Sequence, residues 1–175
     1  MKKAEGSQTD QRIDYYWNQV RKQGVQYEGF NWPLTELIFS LIYTHDVLMS
    51  HFNTELSKFN VSPSVSNILG ILKHIEGGCC TQQQLSSLLL VSRANITKMI
   101  DGLEKRGLVT RNYLKEDRRA RIIKLTSAGE TLVERLIPNH NKGIARITAG
   151  LTKKEVVFLS RMLKKFRASI FQSGK

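Results

Sequence analysis

Between Ser92 and Lys98 the order Ser-Arg-Ala-Asn-Ile-Thr-Lys gathers two hydroxyls, a guanidinium, a carboxamide and an ammonium. Those groups hydrogen-bond phosphate oxygens and base edges, with Ala94 and the Thr97 methyl available for apolar contact. A second basic group follows at Lys115, Arg118, Arg119 and Arg121. Arginine suits a narrow minor groove, where the potential is most negative. Asp117 lies among these cations and can accept a hydrogen bond from Arg119 or Arg121 to hold that guanidinium in place. From residue 92 to residue 125 there are ten Lys or Arg against four Asp or Glu, a surplus of six positive charges. Neutralising phosphates requires such a surplus. On an isolated helix these residues would read as an ordinary solvated face, so the weight falls on what flanks them.

Other chemistry is thinner. Cys79 and Cys80 are adjacent; they read either as a thiol sensor or as two small residues at a helix-to-helix joint, and nothing nearby lowers a thiol pKa. His45, His51, His74 and His140 are the four histidines. His74 with the two cysteines offers soft ligands, but the spacing is not a zinc pattern, and His45 and His51 do not share a helix face. No Gly-rich phosphate loop, no Gly-x-Ser-x-Gly elbow and no paired acidic motif is present, so the chain reads as a non-enzyme requiring no metal and no cofactor.

Helix, turn, helix and hairpin must position the basic groups. Thr81 with Gln84 spells a capping box, after which Leu85, Leu88 and Leu89 recur at helical spacing. Ser92 caps a second helix. Ile96, Met99, Ile100 and Leu103 share one face of it, and Ala94, Thr97, Lys98, Asp101 and Lys105 the other. Gly107 stops it. The join falls at Val91 and Ser92. Leu108 to Leu114 and Arg121 to Leu125 are rich in β-formers and predict a two-stranded hairpin, with Lys115 to Ala120 at its tip. This is the pattern of a winged helix-turn-helix, whose second helix enters the major groove. Asp101 is the awkward member, since it faces an anionic surface. Lys98 or Lys105 can pair with it at helical spacing, or it can accept from a cytosine amino group.

The stretch from Leu85 to Leu125 and just beyond resembles the MarR family of bacterial transcriptional regulators. The matching pieces are Val-Ser-Arg at the turn, Leu-Glu-Lys-Arg-Gly-Leu-Val at the helix exit, Asp-Arg-Arg in the wing and Leu-Thr-Ser-Ala-Gly after the second wing strand. A weaker likeness runs from about Leu34 to the C-terminus; residues 1–33 have no counterpart. The resemblance implies a two-fold dimer built from N- and C-terminal helices, a repressor that excludes polymerase, and a small aromatic or phenolic effector held between the dimer helices and the winged domain. Trp32, Tyr43, His45, Met49 and His74 are the candidates for that wall. Cys79 and Cys80 do not fall on the N-terminal helix where the family's peroxide sensors are expected to carry their thiols.

The remaining chain supplies scaffold. A first helix is predicted from Asp10 to Gln23, with Ile13, Tyr16, Trp17 and Val20 on one face and Gly24 as its stop. Pro33 starts a long helix with an apolar stripe reaching Phe59. Ser62 and Pro63 open another, which Gly77-Gly78 ends. Thr126 caps a helix that Pro138 should start, kink or interrupt. Thr152 with Glu155 makes a second capping box, followed by a stripe from Val156 to Ile170. The fold class is therefore mainly α with a small antiparallel β-hairpin wing. Residues 1–33 form an N-terminal extension, 34–60 and 126–175 a helical dimerisation region, and 61–125 the winged helix-turn-helix DNA-binding domain. The long stripes have no partner in so small a core. A second copy can cover them and carry two reading helices to successive major grooves about 34 Å apart on a pseudo-palindromic site; packing into a bundle within one chain is the alternative.

The global numbers agree. The chain has 175 residues, a formal net charge of +12 and 41% hydrophobic residues, with a pI near 9.9. Charge alone admits nucleic acid, an anionic membrane or an acidic protein as partner. No apolar run approaches the roughly 20 residues that span a bilayer. The start, Met-Lys-Lys-Ala-Glu-Gly-Ser, does not read as a signal peptide, and two cysteines without a framework fit a cytoplasmic protein. From Lys142 to Lys175 nine Lys or Arg stand against one Glu, which keeps open a nucleoid-type protein that coats DNA without choosing sequence. A redox- or metal-responsive regulator of the same fold is the other alternative.

Overall fold

The computed structural model describes residues 11–113 and 121–173. Two compact units emerge, Met1–Phe52 and Asn53–Lys175. In the first, α1 (Gln11–Gly24) lies against the opening turns of α2 (Trp32–Ser57). Aromatic side chains join them: Tyr16 stacks on Phe39 at 6.2 Å, and Trp17 meets Tyr43 edge-on at 6.4 Å. Gly24 is not a residue beyond the helix, as its composition suggested, but the last one inside it. A Cβ there would fall 2.3 Å from Cζ of Phe30, so a larger residue would have to push that ring aside.

The second unit holds the core. The order is α3 (Pro63–His74), β1 (Cys79–Thr81), α4 (Gln82–Leu89), α5 (Arg93–Lys105), β2 (Val109–Tyr113), β3 (Arg121–Leu125), α6 (Ser127–Ile147) and α7 (Lys153–Ser173). Ser62 caps α3 through the Val65 N–H, with Pro63 in the first turn. Ile68, Leu69, Leu72, Leu85, Ile96, Ile100, Leu103, Val109 and Ile123 are buried together. Each comes from the apolar face that its helical or alternating spacing defines.

The sheet has three strands rather than two, in the order β1-β3-β2, all antiparallel. Cys79 pairs with Lys124, Cys80 with Ile123 and Thr81 with Ile122. The two cysteines are therefore strand residues, not only small residues at a joint. In the hairpin, Val109 faces Leu125 and Tyr113 faces Arg121. Thr126 ties the far end of the hairpin to the exit of α5: its N–H donates to the Leu108 carbonyl and its hydroxyl to that of Gly107. Gly129 of the Leu-Thr-Ser-Ala-Gly run is buried. A Cβ on it would come 2.1 Å from the Leu108 carbonyl oxygen, so only glycine lets α6 approach the strand this closely.

Pro138 neither starts nor ends a helix. It lies inside α6, which runs from Ser127 to Ile147. Proline removes one amide donor there, and the Asn139 side chain donates to the carbonyl of Arg135 in the same stretch. The predicted capping box at α7 is present, with the Thr152 N–H donating to Glu155 and the Glu155 N–H to the Thr152 hydroxyl.

Candidate nucleic-acid interface

The helix-turn-helix is assembled from local signals. Thr81 accepts from the Gln84 N–H, and the Gln84 side chain accepts from the Thr81 N–H, closing the capping box that starts α4. The turn begins one residue earlier than the sequence implied. Leu90 adopts a left-handed conformation, φ 53°, and caps α4. A leucine in that region costs about 1 kcal/mol; the bend from α4 into α5 is held by the Val91 N–H donating to the Ser86 carbonyl and the Ser86 hydroxyl to that of Val91. Ser92 then caps α5 by accepting from the Asn95 N–H at 3.3 Å, which leaves its hydroxyl proton for an anion.

Burying Ile96, Ile100 and Leu103 turns the opposite side of α5 outward. Ser92, Arg93, Ala94, Asn95, Thr97 and Lys98 are all exposed. Among the described residues no carboxylate forms an ion pair with Arg93 or Lys98. The front of α5 is thus a cationic surface with hydroxyl, amide and methyl groups beside it, the set that serves phosphates and base edges. Arg121 is exposed, opposite Tyr113 at the loop end of the paired strands. Lys115, Arg118 and Arg119, with Asp117, lie outside the described residues.

Asp101 needs correction. Its partner is neither Lys98 nor Lys105 but Arg111 of β2. The guanidinium spans two carboxylates, Nη2 at 2.5 Å from Asp101 Oδ1 and Nη1 at 2.6 Å from Glu104 Oε2. The strand begins four residues past the helix and runs back beside it, so a cation on β2 reaches acids that its own helix cannot satisfy as well. The side chain of Arg111 is only 16% exposed. It braces α5, and its charge is spent on Asp101 and Glu104. Gln82 was also not legible as a site residue: its amide nitrogen donates to the Thr97 hydroxyl, although the capping pattern of α4 gives position 82 no role.

Of the five residues expected in an effector wall, Trp32 and His74 each line a hollow within one unit among the described residues. Trp32 lines a hollow of about 470 Å³ in the first unit, together with Arg21 and Phe30. His74 lines another of about 490 Å³ in the second, between α3 and α6, with Ser66, Asn67, Leu136, His140 and Asn141. Tyr43 lies against Trp17, His45 is exposed with Nδ1 3.2 Å from Asp46 Oδ1, and Met49 is half-buried; these three line neither hollow. Burial, with a smaller contribution from Cys79, pushes the Cys80 thiol from 9.0 up to about 11, the wrong direction for a reactive thiolate. Among the described residues no group of three or more His, Cys, Asp or Glu is placed to hold a metal ion, and no helix is long and apolar enough to cross a membrane.

Comparison with known proteins agrees with this geometry. Residues 61–120 match the MarR family. The chain is 34% identical over 115 residues to the HTH-type transcriptional regulator PrsX of Escherichia coli, covering 66% of this chain and 69% of that protein. Among solved structures, a MarR mutant from E. coli complexed with operator DNA superposes with a TM-score of 0.65 at 27% identity, covering 77% of this chain and 93% of the other. AbsC, a MarR family transcriptional regulator from Streptomyces coelicolor, gives a TM-score of 0.77 at 19% identity over 83% of this chain and 99% of its own. The chain belongs to the MarR family of winged helix-turn-helix, DNA-binding transcriptional regulators.

Proposed function

We propose that this regulator acts as a homodimeric, sequence-selective repressor in the cytoplasm, released from its operator by a small molecule. The observation that carries the reading is the exposed front of α5. Ser92, Arg93, Ala94, Asn95, Thr97 and Lys98 line it, and its buried side is fixed by the core. In this reading Lys115, Arg118, Arg119 and Arg121 follow the adjacent minor groove and backbone. Dimerisation is supported by large apolar side chains left exposed in the single chain. They include Leu34, Leu37, Ile38 and Ile42 on α2, and Val157, Phe158 and Phe171 on α7. Soluble monomers rarely leave such rows open. A pair of α5 helices related by a two-fold axis matches a pseudo-palindromic site, and repression follows from occupying DNA that polymerase needs. Residues 61–125 are the reading domain in this scheme, 34–60 and 126–175 the dimerisation region, and 1–33 an extension.

For the effector, the hollow between α3 and α6 is the better chamber. Its walls are apolar, with Leu69, Val133 and Leu136, and His74, His140 and Asn141 provide polar groups. That composition suits a small aromatic or phenolic molecule with one or two polar substituents. Occupancy would act by changing which spacing of the reading helices is favoured.

The test is selection of bound duplexes from a random pool, followed by titration across salt. The operator should be preferred over random DNA by at least about a thousandfold. Arg93→Ala, Lys98→Ala and Arg119→Ala should each weaken binding. Where the lost contact was to phosphate, the salt slope should fall by about one per site. Preference below about tenfold would instead favour a coating protein, a reading that the basic stretch from Lys142 to Lys175 supports. A thermal-shift screen with aromatic acids, repeated on His74→Ala and His140→Ala, tests the chamber.

A further inference from the structure

Thr97 stands on the exposed front of α5, yet its hydroxyl is already committed twice. Oγ1 donates to the Arg93 carbonyl one turn back, at 2.9 Å, and accepts from Nε2 of Gln82 on α4. A threonine hydroxyl has one proton. With that proton on the Arg93 carbonyl, only the amide nitrogen of Gln82 can complete the second bond. Thr97 can then no longer donate to an acceptor edge such as guanine O6 and N7 or thymine O4. What remains to it is one lone pair, which can only accept, and its methyl group. Thymine is the one base that presents a methyl group in the major groove. Gln82 has no part in starting its own helix, because the capping box is made by Thr81 and Gln84.

We propose that Gln82 is a positioning residue: it locks the Thr97 hydroxyl inward so that the Thr97 methyl selects a thymine methyl in each half-site. The inference rests on α5 entering the major groove, and it adds a specificity rule to that reading. Arg93 and Lys98 supply charge that any duplex satisfies, whereas this pair distinguishes thymine from cytosine at one position. Gln82→Met removes the donor and leaves the Thr97 hydroxyl held only by its own bond to the Arg93 carbonyl.

The experiment replaces thymines by deoxyuridine, one position at a time, in duplexes selected by the wild-type protein. Removing one buried methyl should weaken binding about fourfold at either member of one symmetric pair of positions, and about sixteenfold when both are changed. Thr97→Ser, which keeps the hydroxyl and lacks the methyl, should bind thymine and uracil duplexes equally. Gln82→Met should weaken the same discrimination, and Thr97→Val should keep it. The readout is a ratio of two affinities for one protein, so altered charge or partial loss of folded protein cancels. If no thymine shows the effect while the selected duplex still binds, Thr97 does not read a methyl and the proposal falls alone. If Thr97→Ser abolishes the effect and Gln82→Met leaves it at full size, Gln82 has no positioning role. Failure to select any duplex would remove the DNA reading itself, and this inference with it.

Discussion

Arg111 shows how one side chain decides what α5 presents. Without it, Asp101 and Glu104 would place two uncompensated carboxylates on α5, working against phosphate binding. With it, both are held through short charge-assisted bonds. Arg111→Met keeps much of the apolar stem and deletes the fork. Since the carboxylates are about half exposed, solvent screening limits the loss to about 1–2 kcal/mol of folding stability. Duplex affinity should also fall, and adding Asp101→Asn and Glu104→Gln should recover most of it. Equal urea midpoints and equal affinities for wild type and Arg111→Met would refute the supporting role. Cys80 gives a second prediction at this scale. Its thiol is raised from 9.0 to about 11 in the folded chain, so the folded state keeps a proton that the unfolded state releases between those values. Stability should therefore decline as pH rises through that window, by up to about 2–3 kcal/mol. Cys80→Ala should remove that part of the slope at a fixed cost for the lost sulfur. Denaturation at about pH 8 and about pH 10.5 compares them; parallel slopes would contradict the assignment.

At the scale of elements, what was legible in the sequence is what is local. The caps at Ser62, Thr81, Ser92, Thr126 and Thr152 all stand where hydroxyl residues precede an apolar helical repeat, because the bond each makes spans only three residues. The cationic front of α5 was legible for the same reason, since one buried stripe fixes the opposite face. Three features escaped. β1 is a three-residue strand defined by its partner β3, and nothing in Cys-Cys-Thr announces that partner. Leu90 takes a positive φ that side-chain type does not favour; the turn imposes it. The pairs Arg111 with Asp101 and Glu104, and Gln82 with Thr97, join different elements and exist only once the chain has folded. Gly129 was part of a recognised run, but its reason became visible only in the 2.1 Å approach to the Leu108 carbonyl. A backbone oxygen cannot move aside as a flexible side chain can. Gly129→Ala should therefore cost about 2–3 kcal/mol by forcing α6 away from Leu108, which leads into β2, seen as a lowered thermal midpoint. A change within the scatter of surface substitutions would mean that the contact yields.

At the scale of the molecule the question is what covers the exposed apolar rows, and the answer can be forced by charge. Ile42 on α2 and Val157 on α7 are both exposed in the single chain. If the protein is monomeric, a glutamate at either position faces water and costs within about 0.5 kcal/mol of folding stability. If the rows meet a second copy, each glutamate is buried without a partner, twice over by symmetry, and costs several kcal/mol of association. Ile42→Glu with Val157→Glu should therefore sediment as a monomer at concentrations where the parent is a dimer, with its helical circular dichroism retained. The consequence for DNA is larger than that for folding. A linked pair of reading heads binds its second half-site at high effective concentration, which multiplies affinity by about a hundredfold or more without a new contact. The split variant should lose that factor on a two-half-site duplex and lose little on a single half-site. A double variant that remains dimeric would place the interface elsewhere. A parent that is itself monomeric yet selective would show that one reading head suffices, and the two-fold account of operator recognition would have to be abandoned.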